Sequence, residues 1–323
     1  MPHPGEFLML FRSESGYISG EELAKRAGIS RSAVWKQIRA LRRFGYSVES
    51  RHGIGYRLAG LTDLPVPWEL TKVLNTSFVG RKVVFREIVD STQNLALSLA
   101  GKSGSNGMVV IAEQQKSGRG RQKRKWLSPK GGVWLSVVLK PKIPISRMTL
   151  LPLVAALAVC DAIRTTSLDA RLKWPNDVTI SGRKVAGILL DVSAEVDEIN
   201  YAVIGIGINA NIDGQAISAR LDGLKVTSIS DELGHPVNRL ELTRTVLERL
   251  EHYYLELERR GSDIIIQQWK ENSDMIGREV TVIQNNRKTV QGLAADVNYD
   301  GSLLLRTDGG DIDIVSGDIS VRY

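Results

Sequence analysis

The stretch 118-GRGRQKRKW-126 joins two glycines to five basic residues, Arg119, Arg121, Lys123, Arg124 and Lys125, and ends on Trp126. Two kinds of segment have this make-up. A nucleic-acid arm needs the basic side chains. A phosphate-binding loop needs the glycines, because backbone without a Cβ can approach an anion closely. The stretch alone leaves both open, so its surroundings must decide.

Strand-like apolar runs flank it at 82–89, 107–114 and 132–140. A long apolar helix fits 147–166. Further strand-like runs fall at 171–174, 178–180, 184–192 and 201–208, and a helix fits 239–260. This predicts a mixed α/β domain with a substantial sheet, and the loop lies inside it. Three more polar constellations interrupt the same domain. In 90-DSTQNLAL-97, Ser91 and Thr92 stand where a strand ends and a helix begins, so hydroxyls and free amides point at a ligand or simply cap the helix. The others are 173-KWPND-177 with 181-SGRKVAGILLD-191, and 205-GIGINANI-212. No GxxxxGK[ST] loop is present, and GIGIN is not a GxGxxG fingerprint, so neither a Walker site nor a dinucleotide fold is indicated.

Together the four constellations describe one kind of site. Arg119, Arg121 and Lys184 can neutralise phosphate charge. Asn176 and Asp177 can hold a metal or accept a proton. Trp126 can stack on a base. Trp134 and Trp174 read as core, and Lys123 as solvated.

The first sixty residues differ in character. They hold ten Lys/Arg against five Asp/Glu. In 18-ISGEELAKRAGISRSAVWKQIRALRRFGYSV-48, Ser19 with Glu22 forms a capping box and Gly28 can end the first helix. Ser30 caps a second helix. There Val34, Ile38 and Leu41 face inward, leaving Arg31, Ser32, Trp35, Lys36 and Arg39 outside. YSVESRHGIGYRL follows as a hairpin with Arg51 and His52 at its turn. This is the pattern of a winged helix-turn-helix. Its second helix suits a major groove, and its basic residues suit phosphates. Trp35 either contacts DNA or packs beneath the wing. The segment 61-LTDLPVPWE-69 reads as a linker.

The last fifty residues alternate short apolar strands with NN, YDG and DGG turns, which predicts a small SH3-like β-barrel. Residues 272–323 hold eight acids against five basic residues, which argues against a second nucleic-acid site.

Composition sets the outer limits. The chain has 323 residues, 42% apolar, with a net charge of +7: ample core for two or three domains, and an anionic partner. Its one cysteine, Cys160, excludes disulfides and cysteine metal sites. Four histidines show no ligand spacing. The N-terminus lacks a signal-peptide pattern, and no apolar stretch reaches the ~20 residues of a membrane span. A cytoplasmic protein with no membrane partner is expected.

These motifs resemble those of the biotin protein ligases, in particular the bifunctional bacterial form that is also the biotin operon repressor. GRGR…RKW is the most specific of them, reinforced by KWPND, GRKVAGIL and GIGIN, and the match runs over essentially the whole chain. One position departs: Lys123 stands where these ligases often carry glycine.

The resemblance implies a winged helix-turn-helix at 1–62, and a ligase domain of the class II aminoacyl-tRNA-synthetase/biotin-ligase type at 63–271. An SH3-like domain that assists ATP and carrier binding would follow at 272–323. It implies that biotin and ATP, with Mg2+, form biotinoyl-5′-AMP, and that a lysine of a biotin carboxyl carrier domain then takes the biotin. Ser91, Thr92, Gln93, Gln115, Arg119, Gly120, Arg121, Lys184, Gly187, Gly205 and Gly207 would line the biotin side. Arg121, Arg124, Trp126, Asn176, Lys184 and Asn209 would meet ATP. Lys184, Arg119, Arg121 and Asp177 would act at the reacting centre, with no fixed metal ligand. Ser30, Arg31, Ser32, Trp35, Lys36, Arg39 and Arg51 would contact operator DNA, as a homodimer when the adenylate is bound. On this reading 118–126 is a mobile lid whose arginines hold the phosphate. A ligand-sensing transcription factor with a dead enzyme domain and a lipoate ligase are the rival readings.

Overall fold

Ser19 and Ser30 each start a helix near the N-terminus of the chain. The computed structural model describes residues 4–14, 16–195, 198–221, 224–283, 289–315 and 317–321, in two compact units, 1–72 and 73–323. The first unit opens with α1 (Pro4–Arg12), α2 (Gly20–Ala27) and α3 (Arg31–Arg43). Ser19 Oγ accepts the Glu22 N–H at 3.1 Å, and Ser30 Oγ accepts the Ala33 N–H at 3.2 Å. Each side chain satisfies an amide that the helix itself leaves open. Gly28 ends α2 at φ 63°, in the left-handed region that glycine adopts without strain. Val34, Ile38 and Leu41 are buried with Leu23 and with Phe7, Leu8 and Phe11 of α1, a helix that the sequence reading does not place. Strands β1 (Ser47–Arg51) and β2 (Gly55–Gly60) pair antiparallel as the expected wing.

The expected linker at 61–69 is instead packed. Leu64, Val66 and Leu70 are buried, and Pro67 opens α4 (Pro67–Val73), where its missing N–H removes no helix bond. Glu69 is buried too. Its carboxylate accepts Arg12 Nη2 at 2.6 and 2.7 Å and the Tyr46 hydroxyl at 2.5 Å. The first compact unit runs to residue 72.

The second unit contains β3 (Val83–Val89), α5 (Thr92–Ala100), β4 (Val109–Gln115), β5 (Val133–Leu139), α6 (Leu150–Arg164), β6 (Ala170–Lys173), β7 (Asp177–Ile180), β8 (Arg183–Glu195) and β9 (Glu198–Ile208). After them come α7 (Gly214–Ser218), α8 (Ile229–Leu233), α9 (Arg239–Arg260) and α10 (Asp263–Glu271). The seven strands form one mixed sheet in the order β3-β4-β5-β9-β8-β7-β6, with only β3 and β4 parallel. Helix α5 covers it with Ala96 and Ala100 against Met108, Val110, Val138 and Val203.

Residues 145–164 correct one expectation. This 20-residue stretch is by length and composition long and apolar enough to cross a bilayer. Its helix, α6, is buried nearly all round, packed against α9, β6 and β8, as the central helix of a large core is.

Strands β10 (Glu279–Ile283), β11 (Thr289–Val297), β12 (Leu303–Thr307), β13 (Gly310–Ile314) and β14 (Asp318–Val321) form an antiparallel sheet in the order β13-β12-β11-β10-β14. The YDG and DGG turns join β11 to β12 and β12 to β13; the NN turn lies outside the described residues. Trp174, in the core as expected, donates its Nε1–H to the Gly301 carbonyl at 2.9 Å, and Thr149 Oγ1 bonds the Asp300 carbonyl. These bonds tie the C-terminal strands to the larger sheet.

Candidate functional site

A cavity of about 630 Å³ opens where α5, the 118–126 loop and the glycines of β8 and β9 meet. Every residue expected on the biotin or ATP side lines it, although these residues come from segments far apart in the chain. The DNA-side candidates lie on the first unit.

At one end, Ser91 is the extended residue before α5 (φ −154°), and its side chain makes no cap bond. Its Oγ is buried without a partner among the described residues, so a polar group is presented to the cavity at a cost in folding energy. Thr92 and Gln93 are fixed. Gln115 Oε1 accepts the Thr92 N–H at 2.7 Å and its hydroxyl at 3.1 Å, while Gln115 Nε2 donates to Ser128 Oγ at 2.8 Å. Gln93 Nε2 donates to Asp191 Oδ2 at 3.0 Å and to the Val203 carbonyl at 2.9 Å, and its Oε1 accepts Ser136 Oγ–H at 2.9 Å. Ser136 and Asp191 are not among the site residues named from the sequence. The available signal is a polar residue inside an apolar strand, at 132-GVWLSVVL-139 and 187-GILLD-191.

The loop is a narrow hairpin. Trp126 N–H donates to the Gly118 carbonyl at 2.9 Å and Gly120 N–H to the Arg124 carbonyl at 2.8 Å. Gln122 (φ 52°) and Lys123 (φ 61°) turn the chain in the left-handed region, so Lys123 adopts the conformation that a glycine would take freely. The arginines expected on a phosphate are engaged here with protein acceptors. Arg119 bonds Asp191 at 2.9 and 3.3 Å and Asn94 Oδ1 at 3.0 Å. Arg121 Nη1 bonds Asn176 Oδ1 at 3.0 Å and the Gly317 carbonyl at 3.3 Å. Arg124 is exposed, 3.4 Å from Gln122 Oε1. Ile319, next to Gly317, also lines the cavity. The C-terminal strands thus reach the site at two residues that nothing in the sequence marks.

Trp126 lies against Gly187 of β8 and Gly207 of β9. A Cβ on Gly207 would come 2.6 Å from Trp126 Nε1, and one on Gly187 would come 2.9 Å from its Cζ3, so any side chain there would displace the indole. Lys184 sits beside it, with Nζ 2.5 Å from Asp177 Oδ1 and 5.1 Å from the Trp126 ring centroid. The Lys184 backbone is held on its far side by the Lys225 carbonyl and the Thr227 N–H. Asn176 Nδ2 donates to the Ile188 carbonyl at 2.6 Å, and Asn209 Nδ2 to the Thr227 carbonyl at 3.0 Å.

The site offers positive charge and ring surface. Neither histidine nor cysteine lines it. Cys160 is fully buried in α6, and burial pushes its thiol up to about 12. Among the described residues no three His, Cys, Asp or Glu side chains gather to hold a metal. Such a site suits transfer at phosphorus or at an acyl carbon, where charge must be balanced and water kept out.

On the first unit Ser30, Arg31, Ser32, Trp35, Lys36, Arg39 and Arg51 are all exposed. Trp35 is 51% exposed, with the Arg39 guanidinium 4.7 Å over its ring, so it does not pack beneath the wing. On the wing, Glu49 accepts the Tyr17 hydroxyl at 2.6 Å and Arg57 Nη2 at 2.9 Å. These two bonds hold its carboxyl below the usual range, and they offset the acid on a basic face.

Comparison with known proteins agrees with this layout. Residues 85–209 match the biotin/lipoate A/B protein ligase family, 6–57 an HTH domain and 275–322 the biotin protein ligase C-terminal domain. The chain is 35% identical to the bifunctional ligase/repressor BirA of Bacillus subtilis, over 94% of each chain. It is 30% identical to that of Escherichia coli, over 98% of this chain and 96% of the other. The biotin protein ligase of Aquifex aeolicus, solved in complex with biotin and ATP, superimposes with a TM-score of 0.63 at 29% identity, covering 75% of this chain and 99% of that one.

Proposed function

The chain belongs to the bifunctional ligase/repressor family of biotin protein ligases, and from that membership and the cavity we propose its reaction and its regulation. A carboxylate oxygen of biotin attacks the α-phosphorus of ATP, and the bond to pyrophosphate breaks. A lysine amine of a biotin carboxyl carrier domain then attacks the acyl carbon of biotinoyl-5′-AMP. The bond to AMP breaks and the amine loses its proton.

The observation that carries this reading is Lys184, an ammonium inside the cavity between Asp177 and Trp126. It stands between the polar Ser91–Gln93 end, which suits the biotin ring system, and the Trp126–Asn209 end, which suits adenine. There it balances charge at the phosphorus. Asp177 would receive the proton of the attacking amine. Arg119, Arg121 and Arg124 close the loop over the adenylate and exclude water. Mg2+ would be held mainly by the phosphates of ATP, with Asn176 and Asp177 as candidate oxygen ligands, and would neutralise charge on the leaving pyrophosphate.

On this reading α3 and the wing of the first unit contact operator DNA. One reading helix is short for operator specificity, so a homodimer formed when the adenylate is bound, on an inverted repeat, is the assembly we expect. The C-terminal strands are an SH3-like barrel, and the central domain is of the synthetase/biotin-ligase type. The setting is cytoplasmic.

Pyrophosphate release from ATP, measured with biotin or with lipoate, tests the ligase. Release with biotin alone is expected. Release with lipoate alone makes the chain a lipoate ligase, and release with neither makes it a sensor without an enzyme.

A further inference from the structure

Asp191 lies on β8 in line with Gly187 and Leu189, which line the cavity, because alternate residues of a strand share a face. Its carboxylate gathers three segments. Arg119 of the loop reaches both oxygens, at 2.9 and 3.3 Å, and Gln93 of α5 reaches Oδ2 at 3.0 Å. Arg119 also takes Asn94 Oδ1 at 3.0 Å, so the guanidinium bridges β8 and α5. Gln93 is in turn held by Ser136 and by the Val203 carbonyl.

We propose that Asp191 is a positioning residue, the latch that holds the basic loop over the cavity and joins loop closure to the biotin-side glutamine. The inference rests on the ligase reading. A forked guanidinium–carboxylate pair has the geometry of a specific catch. At the rim, with the Arg119 side chain 38% exposed and that of Asp191 27%, the pair is also weak enough to break in each turnover. Gln93 is buried and fixed, so the loop can be caught only where the cavity wall is already formed. The loop must open to admit ATP and to present the anhydride to the carrier lysine, and it must stay shut in between. A hydrophobic contact could hold it equally well. An ion pair differs in being sensitive to salt, and the test uses that difference.

The test measures release of labelled biotinoyl-5′-AMP from the full chain after a chase, in wild type, Asp191→Asn, Asp191→Glu and Arg119→Gln. Release should be about two- to fivefold faster in Asp191→Asn, the range of a partly exposed ion pair. Arg119→Gln should match it, and the double variant should be no faster than either, because both remove one interaction. Raising ionic strength should speed release in wild type and leave Asp191→Asn flat. Asp191→Glu should recover part of the slow release. A purely structural aspartate would lower the melting temperature without changing the salt response. Wild-type release and salt dependence in Asp191→Asn would overturn the latch while leaving the ligase in place. A wild-type chain that makes no adenylate would overturn both.

Discussion

Lys184 and Asp177 form an ion pair at 2.5 Å across the neighbouring strands β7 and β8, inside the cavity and beside the Trp126 ring. The pair shows what KWPND and GRKVAGIL supply together in this chain. The first motif supplies the carboxylate and the second the ammonium, and the hairpin between them sets the distance.

Lys184→Ala should lower adenylate formation ~100–1000-fold, the usual loss when a charged donor to a transition state is removed. The hairpin should survive, because its bonds near Lys184 are backbone bonds to residues 225 and 227. Pyrophosphate release and circular dichroism check the two statements. Near-normal turnover in the folded variant would remove Lys184 from the site.

Arg121→Gly should make the enzyme leaky. It removes the bonds to Asn176 and to the Gly317 carbonyl, and it puts a more flexible residue into the loop. Adenylate should escape faster and label lysines of bystander proteins. Stopped-flow release at the wild-type rate would contradict the role given to Arg121.

Glu251 on α9 should set part of the acid limit of the second unit. Its carboxylate accepts the Ser77 N–H at 2.6 Å, the Phe78 and Val79 N–H groups at 2.9 Å, and the Ser77 hydroxyl at 3.0 Å. Burial alone raises its pKa, but these donors outweigh burial and hold it below the usual range. A lowered pKa stabilises above the unfolded value of ~4.3, and the contribution is lost as pH falls through the folded value. Glu251→Gln should cost ~1–3 kcal/mol at neutral pH, because buried amides lose a charged acceptor. The difference from wild type should narrow in acid. Urea unfolding at several pH values reads this out, and a constant difference would exclude the carboxylate as its source.

Adenylate should promote dimerisation. Ordering the loops around the ligand lowers the entropy cost of pairing two chains, a coupling of ~1–3 kcal/mol. Sedimentation with and without biotin plus ATP tests the link, and footprinting at fixed salt tests operator affinity. No change in either would leave a ligase with an unregulated DNA-binding domain.

Much of this was legible in the sequence because the signals are local. Helix α9 spans 239–260 as its pattern predicts, and the wing and its helices follow from Ser19, Gly28 and Ser30. What escaped depends on tertiary partners. Two prolines in 61–69 look like a linker until Leu64 and Val66 find a core. Trp35 looks like a residue for packing, but Arg39 stacks on it in the open. Asp191, Ser136, Gly317 and Ile319 join the site only because distant strands bring them there. The loop glycines and arginines were readable as a phosphate loop, but their bonds to Asp191, Asn176 and Gly317 were not.

The intact mass of a purified biotin carboxyl carrier domain, after incubation with this chain, ATP and either biotin or lipoate, tests the central claim most directly. The account predicts one added biotin on a single lysine, dependent on ATP and lost in Lys184→Ala. An unmodified carrier with biotin, or a carrier modified only with lipoate, would contradict it.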